Sequence, residues 1–368
     1  MRKNRFILAA AGTAVVFALS ACSGKSTEQP AGTGKESVEA ADKNTSETQL
    51  ETIKVSHHPY IHGLPTAVAE REGMYEKHGL KPEVTLYAGG PAQNEASATD
   101  AWQVGTTGLG GAVLGCIGYD MKIIGASAFE NSTIDLWVRP DHPMAKVSGE
   151  VEGYPGIYGN ADLWKGQTVI CQSATNCHLL LLATLEKMGL GKDDIKMVDM
   201  NVAQSFPAFK AGEGDVVALW SPFGYQAEEE GWVKVSSAEA VGLQFCNLII
   251  ATKKAVEEEP ELVQKWLETY LEGAEYMKAN IDEVPQWLYD YQQDEGINTS
   301  FENCVNDVKN RPFPTLEEEK HLMNDGELEG VVLEFAQFLV EQGNLEPEDF
   351  AKLEQGDFID ASFINNIK

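Results

Sequence analysis

The fold is decided by the stretch Gln167-Thr-Val-Ile-Cys-Gln-Ser-Ala-Thr-Asn-Cys-His-Leu-Leu-Leu-Leu-Ala-Thr-Leu-Glu-Lys-Met-Gly-Leu190. Its β-branched and apolar residues 168–171 predict a strand, and the polar residues up to Asn176 predict a turn. Residues 177–188 then predict an amphipathic helix. The first N–H groups of a helix have no intrahelical partner, and the helix dipole adds about half a positive charge there. The turn therefore predicts either an anion site or only an N-cap, formed by Ser173 or Thr175.

The first residues of the chain predict export. A basic start is followed by apolar residues 6–19, a segment too short to span a membrane, so residues 1–21 are interpreted as a secretory signal peptide. The segment ends in Leu19-Ser-Ala-Cys22, which resembles the lipobox of bacterial lipoproteins and implies lipidation of Cys22. The alternative is an ordinary signal peptide with a chance cysteine. Two acyl chains would anchor the protein to the extracytoplasmic face of the cell membrane. The polar residues 22–50 predict a flexible tether.

Charge and cysteine content limit the partners. The net charge is −29, and removal of residues 1–21, which hold three basic and no acidic residues, would change it to −32. Such a chain is not expected to bind nucleic acid. An anionic ligand stays possible, because surface charge is screened over about 8–10 Å. Lipidation of Cys22 would leave five of the six cysteines, so at least one thiol is unpaired within the chain.

Strands and helices alternate after Ile53, over enough residues for two lobes. This alternation predicts an α/β fold with mainly parallel sheets, in which ligands bind beyond the carboxyl ends of the strands. We expect strands at 53–56, 82–87 and 121–126, helices opening near Leu64 and at Pro91, and a short turn at 104–108. In the last third we expect a helix at 260–278 with a buried aromatic stripe, an amphipathic helix at 330–342 and a solvated acidic helix start at 317–319.

Six segments in order resemble the nitrate/sulfonate/taurine family of periplasmic binding proteins, at residues 70–80, 87–91, 162–169, 172–182, 214–222 and 356–363. The resemblance implies a two-lobed type II periplasmic-binding-protein fold, each lobe a mainly parallel sheet flanked by helices, joined by two crossover strands. It places lobe one at residues 51–140 plus 248–368 and lobe two at residues 141–247. Crossovers are expected near residues 134–139 and 247–251. Residues 140–160 exceed the usual length there and form either a surface loop or a lid.

The same resemblance implies a ligand site in the cleft between the lobes. Backbone N–H groups and hydroxyls would hold an oxyanion, and Trp220 and Phe223 would cover its apolar part. Ser221 stands where many taurine and sulfonate binders carry an acid, which counts against taurine. Trp220 could instead be core, the threonines a turn or cap, and the histidines exposed bystanders or a switchable charge. The implied ligand-binding residues are Ser56, His57, His58, Gly89, Gly90, Gln93, Thr106, Thr107, Ser173, Ala174, Thr175, Asn176, Trp220, Ser221 and Phe223.

The function implied is that of a monomeric, lipid-anchored receptor of an ABC importer, which captures a small organic anion such as an aliphatic sulfonate and delivers it to a permease and its ATPase. No catalytic residue, cofactor or metal is expected. Two alternatives stay open: a receptor for a pyrimidine or another flat heterocyclic vitamin precursor, and a fold-related enzyme of pyrimidine synthesis, whose cysteine-rich motif is not found here. A metal site would use His57, His58 and His62, or Cys171, Cys177 and His178, without a matching zinc pattern.

Overall fold

The computed structural model describes residues 50–130 and 132–368. The predicted signal peptide, the lipobox cysteine and nearly all of the tether lie outside the described residues. The strands are β1 Glu51–His57, β2 Leu80–Leu86, β3 Val104–Thr107, β4 Lys122–Phe129, β5 Ile134–Val138, β6 Thr168–Cys171, β7 Lys196–Asp199, β8 Val216–Trp220, β9 Val233–Ser237 and β10 Cys246–Ala251. Among the described residues, no helix combines the length and the apolar character needed to cross a bilayer.

Helices cover both sheets and form most of the last third of the chain. They are α1 Leu64–Arg71, α2 Met74–Lys77, α3 Gly90–Ser97, α4 Leu109–Tyr119, α5 Ala161–Trp164, α6 Asn176–Glu186, α7 Val202–Lys210, α8 Phe223–Glu229, α9 Ala238–Val241, α10 Lys253–Glu258, α11 Pro260–Ala279, α12 Val284–Asp294, α13 Phe301–Asn310, α14 Leu316–Asn324, α15 Glu327–Glu341, α16 Pro347–Gln355 and α17 Ser362–Asn366.

Two five-stranded sheets have the same topology. The first sheet has the order β2-β1-β3-β10-β4 and the second the order β7-β6-β8-β5-β9. In each sheet four strands run in one direction, and the remaining strand, β10 or β5, is antiparallel to both of its neighbours. The predicted α/β fold with two helix-flanked sheets is confirmed. Each sheet is mixed: its antiparallel strand, β5 or β10, is the strand that follows a passage of the chain from one sheet to the other.

The chain passes between the sheets twice, between strands β4 and β5 and again near residues 242–245, before β10. Strand β5, expected within the first lobe, pairs along its length with β8 and β9 of the second sheet. The Glu130 N–H donates to the Phe245 carbonyl at 2.9 Å, so the two passages lie side by side. We therefore propose lobe boundaries at these passages, ahead of residues 140 and 247. Below, the first lobe is the first sheet with its helices, and the second lobe is the second sheet with its helices.

The deciding stretch forms the predicted elements, β6 and α6. Thr175 occupies the N-cap position of α6, but its side chain makes no capping bond. Its hydroxyl donates instead to the Gln172 carbonyl at 2.8 Å, and the Ser173 N–H donates to Asp199 Oδ1 at 2.9 Å. Neither residue caps α6 through its side chain, so the first N–H groups of α6 receive no capping oxygen from either of them.

Two expectations are wrong. The expected turn at 104–108 is mostly strand β3, which is fully buried between β1 and β10; glycine is required there because a Cβ on Gly105 would lie 2.1 Å from the Ser56 carbonyl oxygen. The acidic start of α14 is only partly solvated. Glu319 is 1% exposed, because its Oε1 turns inward and accepts from the Ala126 N–H at 3.0 Å.

Helix α11 buries the predicted aromatic stripe. Trp266, Tyr270, Ala274 and Met277 are all buried, which confirms that this face is core. The helix approaches α1 closely at Gly273, where a Cβ would lie 2.4 Å from a carbonyl oxygen of α1. The long α11 thus fixes the back of the first lobe, behind the first strand.

Residues 140–160 pack on the edge of the second sheet. The Tyr158 N–H donates to the Val235 carbonyl of β9 at 2.8 Å, and Ser148 pairs with Tyr158 across an antiparallel bridge. Met144 and Ile157 are fully buried beneath them. The segment is a surface loop whose buried side chains join the main hydrophobic core, and none of its residues lines the pocket between the sheets.

Candidate functional site

A pocket lies between the two lobes. It has about 490 Å³ of empty space, including its open mouth. Both lobes and the passage between them contribute to its wall, which is lined by His58, Tyr60, His62, Gly89, Gly90, Pro91, Thr107, Gly108, Gly110, Gly111, Glu130, Ile134, Thr175, Asn176, Trp220 and Asn247.

Three helices begin at this pocket. Lining residues lie at the starts of α3 (Gly90), α4 (Gly110 and Gly111) and α6 (Asn176). None of the three helices has a side-chain N-cap bond. The starts of α3 and α4 touch backbone to backbone, since a Cβ on Gly90 would lie 2.7 Å from the Gly111 Cα. Free N–H groups and the positive ends of three dipoles therefore converge on one cavity, which favours an anion or a strong hydrogen-bond acceptor.

The lobes are closed on each other around the pocket. A Cβ on Gly110 of the first lobe would lie 2.4 Å from the Ala174 carbonyl oxygen of the second lobe. A Cβ on Gly89 would lie 3.1 Å from Gln172 Nε2. Ala174 itself has φ +55°, a left-handed conformation that a residue with a side chain rarely adopts. Such local strain is typical of binding sites, where the surrounding structure holds the backbone in place.

The adjacent histidines His57 and His58 have different positions. His58 lines the pocket, whereas His57 is fully buried behind it. Burial lowers the pKa of His57 to about 3 and the pKa of His58 to about 4, and it also lowers the pKa of the lining residue His62 well below its usual value. All three rings are therefore neutral at pH 7, so the expected switchable positive charge does not arise in this closed structure.

A hydrogen-bonded layer supports the pocket from behind. Thr106 Oγ1 lies 2.8 Å from His57 Nδ1 and 2.6 Å from His62 Nδ1. The Gln93 amide donates to Ser56 Oγ at 2.8 Å and to the Thr106 carbonyl at 3.1 Å. Ser56, His57, Gln93 and Thr106 thus hold the wall without lining it. Thr107 does line the pocket, and its hydroxyl has no hydrogen-bond partner in the described part of the chain.

The second lobe brings only some of its expected residues to the pocket. Thr175, Asn176 and Trp220 line it, and the Trp220 ring lies edge-on to Tyr60 with 6.3 Å between centroids. The other four expected residues do not line it. Ser173 and Ala174 form the turn before α6. The buried Ser221 donates its N–H to the Thr133 carbonyl at 3.1 Å. Phe223 packs on Phe206, with 6.2 Å between the ring centroids.

A buried ionic network was not predicted. Glu130 lines the pocket, is 6% exposed and pairs with the guanidinium of Arg311, which is 2% exposed. The Asn176 amide donates to Glu130 Oε2 at 3.1 Å, and Arg311 donates to Asn247 Oδ1 at 3.2 Å. Asp307 lies 3.7 Å from Arg311 as a second carboxylate. The network joins Glu130, which directly follows β4, to β10, α6 and the end of α13. Its sequence signal was weak: a strand expected to end at Ala126 runs on to Phe129, directly before Glu130.

Tyr60, His62 and Ile134 were also missed, together with Pro91, Gly108, Gly110, Gly111 and Asn247. Within residues 50–130 and 132–368, no group of three His, Cys, Asp or Glu side chains is arranged to hold a metal ion. The five cysteines in these ranges are free and buried. Burial raises the pKa of the Cys116, Cys246 and Cys304 thiols to about 12, which keeps them protonated.

Comparison with known proteins finds relatives of this chain among binding proteins. A protein of Brachyspira hyodysenteriae described as an ABC transporter periplasmic binding protein is 26% identical over 283 residues, covering 77% of this chain and 82% of the relative. An Escherichia coli protein described as an aliphatic sulfonates-binding protein is 26% identical over 230 residues, covering 62% of this chain and 67% of the relative.

Two solved structures show the same fold. The aliphatic sulphonate binding protein SsuA of E. coli aligns with TM-score 0.65 and 18% identity, over 82% of this chain and 96% of that one. The nitrate-binding protein NrtA of Synechocystis aligns with TM-score 0.67 and 13% identity, over 86% and 88%. The resemblance to periplasmic binding proteins is confirmed. The family model described as "NMT1/THI5 like" matches residues 61–284, more than half of the sequence, and the chain belongs to this family.

Proposed function

We propose that the protein is the extracytoplasmic solute receptor of an ABC importer and that it captures a small organic anion of the aliphatic sulfonate class. The observation that carries the proposal is the convergence of three uncapped helix N-termini on one pocket between the lobes. No Lys or Arg is among the described residues that line it. An anion would therefore be held by backbone N–H groups and helix dipoles, as is usual for oxyanions at helix N-termini.

The relatives support the importer role. The Brachyspira relative carries the description of an ABC transporter periplasmic binding protein, and the E. coli relative that of an aliphatic sulfonates-binding protein. On this basis the partners are a membrane permease and its ATPase. Closure of the two lobes selects the ligand, because hydrogen bonds from both lobes are complete only around a molecule that fits.

The proposed location is the outer face of the cell membrane, with the lipid on Cys22 as the anchor and the protein as a monomer. A Cys22→Ser variant should then appear in the soluble fraction. Retention of this variant in the membrane fraction would contradict the lipid anchor.

We further propose binding without catalysis. The thiols that a cysteine-dependent enzyme would need are buried and protonated. The lining histidines are neutral and held by hydrogen bonds to Thr106 and Gln93. These features are those of a rigid wall around a ligand rather than of an activated nucleophile.

A second candidate is a receptor for a flat heterocycle. The aromatic rings of Tyr60 and Trp220 line the same pocket as Glu130, Asn176 and Asn247. Aromatic rings stack on planar ligands, and carboxylate and amide groups pair with the donors and acceptors of a pyrimidine ring. This candidate keeps the receptor role and changes only the ligand.

Thermal unfolding in the presence of alkanesulfonates, taurine, nitrate, aromatic acids and pyrimidines tests the proposal. A ligand at one hundred times its dissociation constant stabilises the folded protein by about 2.7 kcal/mol. Stabilisation by a sulfonate that is lost in Thr175→Asp supports the anion site, because the new carboxylate stands at the α6 N-terminus. Thr252→Asp is the matched control at the N-cap of α10, outside the pocket. Stabilisation by a neutral heterocycle alone would replace the sulfonate with the second candidate.

A further inference from the structure

The side chain of His178 holds the turn before α6. His178 is the third residue of the helix and is buried. Its ring nitrogen Nδ1 accepts a hydrogen bond from the Ala174 N–H at 3.3 Å. A side chain at this position that reaches back to a backbone N–H is one half of a capping box, in which glutamate or glutamine usually makes the bond. Because the N–H of Ala174 lies ahead of the helix, the bond leaves the first N–H groups of α6 free to face the pocket.

Ala174 is the residue that this bond fixes. Its left-handed φ of +55° is unfavourable for a residue with a side chain, so neighbouring contacts must hold it. Within the described part of the chain, His178 is the only hydrogen-bond acceptor for the Ala174 N–H. The next two residues, Thr175 and Asn176, line the pocket. The conformation of Ala174 therefore decides where the N-terminus of α6 stands.

The His178 ring is also packed against the first lobe. It lies edge-on to the ring of Phe338 in α15, with 5.9 Å between the ring centroids. Phe335, one turn earlier on α15, approaches α4, since a Cβ on Gly110 would lie 3.1 Å from its ring. The same Cβ would lie 2.4 Å from the Ala174 carbonyl oxygen. His178 thus connects the turn of the second lobe with the helix of the first lobe that packs beside it.

The charge state of His178 follows from its surroundings. Burial lowers the pKa of the ring below its usual value, with a rise from Asp199 at the end of β7 and a further lowering from Lys192 just before β7. The acidic residues of α15 on this side, Glu334 and Glu341, line a neighbouring groove. The ring is therefore neutral at pH 7. Because Nδ1 accepts, its single proton lies on Nε2.

We propose that His178 is a positioning residue of the anion site: its neutral ring accepts from the Ala174 N–H and so orients the turn that presents the N-terminus of α6 to the ligand. The inference rests on the proposed function and adds to it a residue that does not line the pocket. A protonated ring carries a donor on both nitrogens, so it would face the Ala174 N–H with a second donor. Protonation of His178 should therefore release the turn and weaken ligand binding.

Isothermal titration with ethanesulfonate tests this role in matched variants. His178→Leu removes the acceptor and should weaken binding at least about tenfold, because the Ala174 N–H loses its partner. His178→Asn should bind within about threefold of the wild type, since its Oδ1 is bonded to Cγ as Nδ1 is and also accepts. Thr184→Val is the control: it removes a buried hydrogen bond of α6 to Ser236, so stability should fall and affinity should not. Wild-type affinity in His178→Leu, or equal losses in His178→Leu and His178→Asn, would overturn the proposal.

The pH profile separates positioning from packing. A sulfonate keeps its charge as the pH falls from about 7 to about 4, so wild-type affinity should fall as His178 is protonated. His178→Asn cannot be protonated in this range, and its profile should lack this fall. The lining histidines titrate alike in both proteins, so the difference between the profiles reports on His178. Parallel profiles would overturn the proposal. This comparison also decides the matter if His178→Leu does not fold.

Hydrogen exchange of the ligand-free protein distinguishes this inference from the proposed function. The Ala174 N–H, followed by NMR, should exchange faster in His178→Leu than in the wild type and at the wild-type rate in His178→Asn. Equal exchange in all three proteins would overturn the positioning role, whatever the titrations show. If ethanesulfonate does not bind the wild type while exchange follows the predicted pattern, the sulfonate proposal fails and the hold of His178 on the turn stands.

Discussion

The two lobes have the same strand order but contribute unequally to the pocket. The first lobe supplies eleven of the sixteen lining residues and the second lobe four, with Glu130 on the passage between them. The first-lobe residues are held by one another, as in the bond between His58 and Gln93. The second lobe adds the start of α6 and the ring of Trp220. The first lobe thus forms most of the pocket wall, and the second lobe covers it with few contacts. Substitutions in the supporting layer of the first lobe should therefore alter the stability of the protein. Substitutions where the two lobes touch should alter ligand affinity alone.

The largest effect is expected where the lobes are joined. Arg311→Met leaves Glu130 and Asp307 as uncompensated buried carboxylates, so the free energy of unfolding should fall by about 3–5 kcal/mol. Urea denaturation measures this loss. Lys254→Met, which breaks the exposed pair with Asp100, is the control and should leave the unfolding midpoint unchanged. Equal behaviour of the two variants would show that the network does not join the lobes.

Closure is tested at the contact of α4 with the turn before α6. Gly110→Ala places a Cβ 2.4 Å from the Ala174 carbonyl oxygen, so the lobes cannot reach the closed arrangement. We expect at least about a hundredfold loss of affinity, or roughly 2.7 kcal/mol, with little change in the melting temperature of the free protein. Gly118→Ala on the same helix meets nothing within 4 Å and should bind like the wild type. Full affinity in Gly110→Ala would disprove the closed pocket.

The stability of the protein should also depend on pH through a first-lobe carboxyl that lies outside the pocket. Burial raises the pKa of Glu319 from 4.5 to about 8. The protonated carboxyl stabilises the folded protein. This stabilisation is complete at a pH below the pKa in the unfolded state and is lost as the pH rises through the pKa in the folded state. Between pH 6 and pH 8 the wild type should lose about 2 kcal/mol relative to Glu319→Gln, since one proton is worth about 1.4 kcal/mol per pH unit. Denaturation of both proteins across this range measures the difference, and parallel curves would contradict it.

The smallest effect on affinity is expected at Thr107, and its neighbour on β3, Thr106, should behave differently. Thr107→Val removes a hydroxyl that has no partner among the described residues and lines the pocket. Affinity should fall about three- to tenfold, near 1 kcal/mol, with stability unchanged. Thr106→Val removes a hydroxyl bonded to His57 and His62, so stability should fall and the ligand contacts should persist. Titration gives the ligand affinity of each variant, and thermal melting gives its stability. Lost affinity in Thr106→Val together with lost stability in Thr107→Val would contradict these assignments.

These threonines also show what the sequence could and could not predict. Successive residues of a strand point to opposite faces, so of Thr106 and Thr107, both on β3, only Thr107 lines the pocket. The pattern of strands and turns placed His57 with His58 and Thr106 with Thr107 at the right sheet edge. The choice of His58 and Thr107 depends on which face the second lobe covers, and this is a tertiary property.

The ionic network lay beyond sequence reasoning for a different reason. Asn247 lies more than a hundred residues after Glu130, and Arg311 lies dozens of residues after Asn247. The three residues therefore form no motif. They meet because β4 and β10 are neighbours in the first sheet and the C-terminal helices return to the same edge. The strand-helix alternation, the core stripe of α11 and the α6 turn depend on local periodicity, and for that reason the sequence predicted them.

The most direct test follows the tryptophan fluorescence of the purified protein during titration with an alkanesulfonate. Binding between the lobes predicts a saturable change at one ligand per chain that disappears in Trp220→Phe, while the heat of binding persists. Trp164→Phe changes a buried ring of the second lobe that bonds the Tyr158 carbonyl at 2.9 Å, away from the pocket, and should keep the signal. A change that survives in Trp220→Phe, or that is lost instead in Trp164→Phe, would show that the ligand does not bind between the two lobes.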